Sequence, residues 1–134
     1  MLTFFCESVT LRVLIVDDHE LTRLSLKLAF SNQENFQVVG LACNGQEAIE
    51  MLKSYQPDVI ILDLQMPVMD GWRACSHLKA ISPKTQILAY SSVEDASLFN
   101  AKTTANFDYV SPKDIPTTKL IALVTQLGEH ARNR

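Results

Sequence analysis

Four consecutive large aliphatics, Val59, Ile60, Ile61 and Leu62, run straight into an acid, Asp63. Breakers flank the run, with Pro57 before it and Pro67 and Gly71 behind it. A strand with one wet face alternates apolar and polar residues. An unbroken run of this length predicts a strand buried on both faces of a parallel sheet. Asp63 then stands where the strand ends, and in open α/β sheets the carboxyl ends of the strands are where ligands bind.

The rest of the chain follows the same plan. Leu11 to Val16 predicts a first strand ending at Asp17 and Asp18. His19 to Ser31 predicts a helix with Leu21, Leu24 and Leu28 on its inward stripe, widened by Leu26 and Phe30. Phe36 to Ala42 is a second strand interrupted by Gln37 and Gly40. After the Asn44-Gly45 turn, Gln46 to Tyr55 is a helix that Pro57 stops. The Asp63 strand comes third, and Trp72 to Ile81 gives a helix closed by Ser82-Pro83. Gln86 to Tyr90 is a fourth strand ending at Ser91 and Ser92, residues 94–104 a short helix, and Phe107 to Val110 a fifth strand ending near Lys113. Pro116 opens a last helix with Leu120, Ile121, Leu123, Val124 and Leu127 on its apolar side, and a polar, basic stretch runs from Gly128.

Strict alternation of five strands and five helices predicts one parallel sheet covered on both faces. The doubly wound, flavodoxin-like order 2-1-3-4-5 suits five strands and makes strands one and three neighbours. Asp17, Asp18 and Asp63 then converge at one switch point. A length of 134 residues suits a single domain over residues 11–130, with an N-terminal extension at 1–10 and a C-terminal tail at 131–134. The net charge of −3 exerts no global pull on nucleic acid or anionic membrane. Cys6, Cys43 and Cys75 are scattered without metal-ligand spacing and read as reduced thiols. No signal peptide and no apolar run of membrane-spanning length is present, so the expected location is the cytoplasm.

Three carboxylates within a few ångströms repel one another, and such a cluster takes up protons or binds a cation. Oxygen-only ligands in a small open site suit Mg²⁺, which favours phosphate oxygens as further ligands. The other strand ends add a hydroxyl at Ser91 and an ammonium at Lys113. Together these residues are equipment for phosphoryl transfer. Asp63 needs no general base, because a carboxylate of pKa ~3.9 is already ionised at neutral pH. Taken singly, Asp70 reads as a turn residue beside Gly71 and Asp58 as a turn or strand start. His19 reads as a first-turn helix residue rather than a phosphoryl carrier, and His77 and His130 as surface residues.

Asp17-Asp18, Asp63 with Met66-Pro67 and Asp70-Gly71 behind it, Ser91 and Lys113 together resemble the receiver domain of two-component response regulators. The Asp17-Asp18-His19-Glu20-Leu21-Thr22-Arg23 opening and the Asn44-Gly45-Gln46-Glu47-Ala48 turn resemble the NarL/FixJ branch in particular. The resemblance covers about residues 11–130. It implies that Asp63 accepts a phosphoryl group from a sensor histidine kinase or a phosphotransfer protein, and that the chain catalyses only its own phosphorylation and dephosphorylation. It also implies Mg²⁺ (or Mn²⁺) ligated by Asp18, Asp63 and the main-chain carbonyl of Gln65, with Asp17 holding a metal-bound water and Ser91 and Lys113 holding phosphoryl oxygens. In that branch DNA is contacted by an output domain, which residues 1–134 do not include. The exposed side of the last helix is open to two readings, a homodimer surface or plain solvent.

The family places an aromatic three residues before the lysine. Here Val110 holds that place and Tyr109 comes one residue earlier, on the opposite face of a strand with period-two alternation. A bulge at Pro112 would restore the parity. Two other functions compete. A receiver-like interaction module that works without phosphorylation is favoured by the altered 105–112 segment. A metal-dependent phosphohydrolase with an aspartate nucleophile needs a second acid two residues on, where this chain has Gln65.

Overall fold

Every residue of β3 (Val59–Asp63) is buried, because two layers of helices meet on it. Ile60 and Leu62 face a core shared with Leu14, Val16, Ile49, Leu52, Leu78 and Ile87. Val59 and Ile61 face a second core with Val13, Ile15, Phe30, Phe36, Leu88, Leu120 and Val124. That is the two-sided burial the aliphatic run requires. The computed structural model describes residues 10–92 and 107–133. Residues 1–9 of the expected extension at 1–10, Cys6 and the expected helix at 94–104 lie outside them.

The remaining elements are β1 (Leu11–Val16), α1 (Glu20–Ser31), β2 (Phe36–Ala42), α2 (Gly45–Tyr55), α3 (Gly71–Ile81), β4 (Gln86–Ser91), β5 (Tyr109–Pro112) and α4 (Thr117–Arg132). The five strands form one parallel sheet in the order β2-β1-β3-β4-β5, as expected. Val13 pairs with Val38 and Leu14 with Gly40, so β2 carries one extra residue at Val39. The Gly40 interruption seen in the sequence is that irregularity.

Four expectations are corrected. The α1 leucines face outward: Leu21, Leu24 and Leu28 are 82%, 42% and 64% exposed, while Leu26 and Phe30 are buried. Leu26 and Phe30 pack into the core with this rotation, and Arg23 on the same helix donates from Nη1 to the Asp17 carbonyl at 2.7 Å. Strand β5 begins two residues later than expected, at Tyr109, and pairs with β4 in unbroken register through Ser91–Pro112, so no bulge restores the aromatic parity. Helix α4 continues past Gly128 to Arg132. A Cβ at Gly128 would lie 2.7 Å from Leu11 Cδ1, so the glycine lets the helix approach β1 rather than ending it.

Two acids pin the sheet at the end opposite Asp63. Asp58 Oδ2 accepts from the Arg12 amide at 2.8 Å and Oδ1 from Arg132 Nε at 2.8 Å. Asp108 Oδ2 accepts from the Ile87 amide at 2.8 Å and pairs with Lys79 at 2.7 Å. Each acid thus ties the start of its strand to the neighbouring strand and to a helix.

The loop after β3 is tight. A Cβ at Gly71 would lie 2.5 Å from the Asp63 carbonyl oxygen and 2.6 Å from Leu64 Cα, both backbone atoms that cannot give way. Val68 has φ of 70°, and across it the Met69 amide donates to the Pro67 carbonyl at 2.7 Å, a γ-turn that a β-branched residue adopts under strain. Chemical denaturation should therefore show opposite signs at the two positions. Gly71→Ala should destabilise the fold by about 1–3 kcal/mol. Val68→Gly, at an exposed position, should stabilise it by about 1 kcal/mol because relief of the positive-φ strain exceeds the added chain entropy.

Candidate functional site

Register delivers the site. Val16 pairs with Leu62, so Asp17 and Asp63 follow on neighbouring strands at the same level. Asp63 pairs with Tyr90 and Ser91 with Pro112, which brings Lys113 out beside Ser91, its amide donating to the Ser91 carbonyl at 2.8 Å. Lys113 Nζ turns back across the strand ends, 3.0 Å from Asp17 Oδ2 and 3.2 Å from Asp63 Oδ1. One ligand atom from each of Asp17, Asp18, His19 and Asp63 lies within 4.8 Å of the others.

The three acids are not equivalent. Asp17 is held from four sides: its amide donates to Ala42, its carbonyl accepts from Arg23, Oδ1 accepts from the His19 amide at 2.9 Å and Oδ2 from Lys113. Asp18 Oδ1, Asp63 Oδ2 and the Ser91 hydroxyl are buried and make no hydrogen bond. Buried polar atoms left unpaired are costly, and three at one site mark a place built for a ligand. Carboxylate oxygens with a hydroxyl and an ammonium fit a hard divalent cation beside an oxyanion. The saturated Asp17 carboxylate fits contact with such a cation through water, whereas Asp18 and Asp63 each keep an oxygen free.

Burial raises the Asp63 carboxyl from 3.8 to about 6, reinforced by the neighbouring Asp17 charge and opposed by Lys113. This corrects the expectation of an ordinary carboxylate, although Asp63 still ionises below neutrality. Burial pulls Lys113 down, but hydrogen bonding and charge from Asp17, then Asp63, outweigh it and raise its pKa overall. Tyr90 closes the lysine side, its hydroxyl donating to the Lys113 carbonyl at 3.3 Å and its ring centroid 5.9 Å from Nζ.

Asp17, Asp18, Asp63 and Lys113 are thus brought together, and Ser91 borders them through its backbone contact with Lys113. Gln65 is exposed two residues beyond Asp63, in the loop leaving β3. Asp70 caps α3, accepting from the Arg73 amide at 2.9 Å. Sequence reasoning missed Arg23, Tyr90 and His19. His19 Nδ1 lies 3.2 Å from Asp17 Oδ1 and 3.1 Å from Asp18 Oδ1, and its place directly after two acids was the available signal. A cleft of about 370 Å³ runs from Lys113 and Tyr90 along Leu21, Thr22, Ser25 and Leu26 of α1.

Because the folded pKa of Asp63 is raised, the folded state holds the proton more tightly than the unfolded one between pH ~4 and ~6. Its contribution to stability is full below that window and lost as pH rises through it. In metal-free buffer, Asp63→Asn should melt with the wild type near pH 4. At pH 7.5 it should melt higher by about 3–8 °C, matching about 1–2 kcal/mol after solvent screening. Saturating Mg²⁺ should narrow the gap by stabilising the wild type alone.

Comparison with known proteins places this site in a family. The Response regulator receiver domain family matches residues 13–125. Among curated relatives, the response regulator protein VraR of Staphylococcus aureus is 36% identical over 112 residues, covering 80% of this chain and 54% of the relative. The chain thus spans about half the length of the curated relatives it matches. Among solved structures, the signal receiver domain of the putative response regulator NarL from Mycobacterium tuberculosis is 30% identical with a TM-score of 0.81, covering 90% of this chain and 98% of that one. A CheX-CheY-BeF3-Mg complex from Borrelia burgdorferi matches with 25% identity and a TM-score of 0.79, covering 89% of this chain and 90% of that one. The chain belongs to the response regulator receiver domain family and is a receiver domain of the two-component type.

Proposed function

We propose that Asp63 is the phosphoacceptor of a Mg²⁺-dependent switch in the NarL/FixJ branch, charged by a sensor histidine kinase or a phosphotransfer protein in the cytoplasm. The observation that carries this reading is the pair of buried, unpaired carboxylate oxygens Asp18 Oδ1 and Asp63 Oδ2 in one acidic cluster, with the Lys113 ammonium 3.2 Å from Asp63 Oδ1 and the unpaired Ser91 hydroxyl at the adjacent strand end. The cation, Mg²⁺ or Mn²⁺, is assigned to Asp18, Asp63 and the main-chain carbonyl of Gln65, with Asp17 reaching it through water. When bound it supplies charge neutralisation for the incoming phosphoryl oxygens. The CheX-CheY-BeF3-Mg complex, a neighbour of the same fold, supports the cation and the phosphoryl position. Similarity to VraR and NarL supports the branch.

An Asp63 carboxylate oxygen attacks phosphorus, the bond from phosphorus to the donor imidazole nitrogen breaks, and its electron pair stays on that nitrogen. Lys113 and the Ser91 hydroxyl hold two of the transferred oxygens. Later attack of water on phosphorus returns Asp63 as a carboxylate, so the chain acts on itself alone. The added charge and acceptor oxygens draw on Ser91 at the end of β4, and this shifts the partner or output domain. The exposed Leu21 lines the cleft that reaches Lys113, and with Leu24 and Leu28, also exposed on α1, it gives the donor protein an apolar landing surface.

A second reading, partner binding without phosphorylation, is favoured by Val110 in the place of the family's aromatic. Tyr109 is 44% exposed and lines a groove with Ile115, Lys119, Ala122 and Leu123 instead.

Incubation with acetyl phosphate and Mg²⁺ should add one phosphoryl mass, absent when the metal is chelated beforehand and in Asp63→Ala. No mass gain would favour the second reading, and a gain that survives Asp63→Ala would refute Asp63 as the acceptor. Leu21→Glu with Leu24→Glu should leave acetyl phosphate labelling unchanged while slowing transfer from the phosphorylated donor protein by about tenfold or more. An equal loss with both donors would remove the landing surface from the account.

A further inference from the structure

The imidazole of His19 is the one chemically distinct group at the acidic cluster that phosphoryl transfer does not use. Its backbone amide is anchored to Asp17 Oδ1 at 2.9 Å, and its ring nitrogen Nδ1 sits 3.2 Å from the same oxygen and 3.1 Å from Asp18 Oδ1. Ligands on a tetrahedral zinc ion with bonds of ~2.1 Å are spaced ~3.4 Å apart. The His19 pairs already lie at 3.1–3.2 Å, and the ligand atoms as a group, all within 4.8 Å of one another, need only small side-chain movements to close on an ion. Asp63 Oδ2, on a residue only 3% exposed, has no hydrogen-bond partner, and Asp18 Oδ1 meets only the His19 ring, so the cluster has ligand capacity that other protein contacts do not use.

We infer that His19 is a fourth side-chain ligand for ions of the zinc class, so that the cluster binds Zn²⁺ through nitrogen and oxygen but Mg²⁺ through oxygen alone. This inference rests on the reading that the three acids hold a divalent cation. Its chemical basis is ligand softness: a neutral imidazole nitrogen is a good ligand for Zn²⁺ and a poor one for Mg²⁺, which prefers carboxylate, carbonyl and water. His19 precedes the first turn of α1 and its side chain caps nothing, so nothing in the helix start opposes a turn of the ring toward the ion. The side chain is 67% exposed, which lets an ion reach it without opening the fold. A ring that merely hydrogen-bonds to the two carboxylates would support both metals alike. That difference makes the assignment testable.

Calorimetric titration of the whole chain at pH 7.5 with Zn²⁺ and, separately, Mg²⁺ is to be compared among the wild type, His19→Ala and His19→Gln. Both variants should bind Zn²⁺ about 10–100-fold more weakly, while their Mg²⁺ affinity stays within about twofold of wild type. In ¹⁵N NMR spectra the His19 Nδ1 resonance should move on adding Zn²⁺ and hold still on adding Mg²⁺, which separates this site from zinc taken up at His77, His130 or Cys43. Zn²⁺ affinity unchanged in His19→Ala, a parallel loss of both metals, or a still Nδ1 resonance would overturn the inference while leaving the phosphoacceptor reading intact. Failure of the wild type to bind Mg²⁺ would overturn both.

Discussion

Two carboxylates, Asp17 and Asp63, share one ammonium, Lys113, in a pocket that excludes nearly all solvent from both acids. Three charges of which two repel cannot all be satisfied there, and the rise of the Asp63 carboxyl to about 6 records that deficit. The structure resolves it unevenly. Asp17 is surrounded by donors, while Asp63 and Asp18 each retain an oxygen with no hydrogen bond. The resulting site is unfavourable by itself, and in the proposed function the arrival of a cation and a phosphoryl group is what relieves it. A switch needs that inequality, because a ligand shifts an equilibrium only by its differential affinity for the two states.

Holding like charges together requires a scaffold that does not slip. A one-residue change in strand register would turn Asp63 toward the opposite face of the sheet. Asp58 and Asp108 prevent this from the far end, each binding the amide of an adjacent strand and a cation from a helix. Gly71 contributes from the near end, letting α3 start against the backbone of Asp63 and Leu64 with no Cβ between them. The strain of Val68 in the same loop is the cost of that close turn.

The β3 run, the strand order and the convergence of distant acids were legible because each follows from burial and topology. What escaped depends on contacts that a linear pattern does not carry. Helix α1 has two apolar stripes, and counting leucines favours the wrong one; the packing of Leu26 and Phe30 into the core decides between them. Gly128 looks like a helix end until Leu11 is seen beneath it. Strand β5 starts late because Asp108 turns its carboxylate onto the Ile87 amide and Lys79, which leaves Phe107 ahead of the ladder. His19 stands at the start of α1 as read, as its N-cap; what the pattern did not show is how close its ring lies to Asp17 and Asp18.

The electrostatic deficit at Asp63 is measured most directly by ¹³C NMR of its carboxyl carbon across a pH titration, with and without Mg²⁺. Without metal the carbon should titrate near pH 6, and saturating Mg²⁺ should move the midpoint well below that by competing with the proton for the same oxygen. A midpoint at the ordinary carboxylate value of ~4, indifferent to Mg²⁺, would mean that Asp63 is neither crowded nor poised for a cation, and the account would not stand.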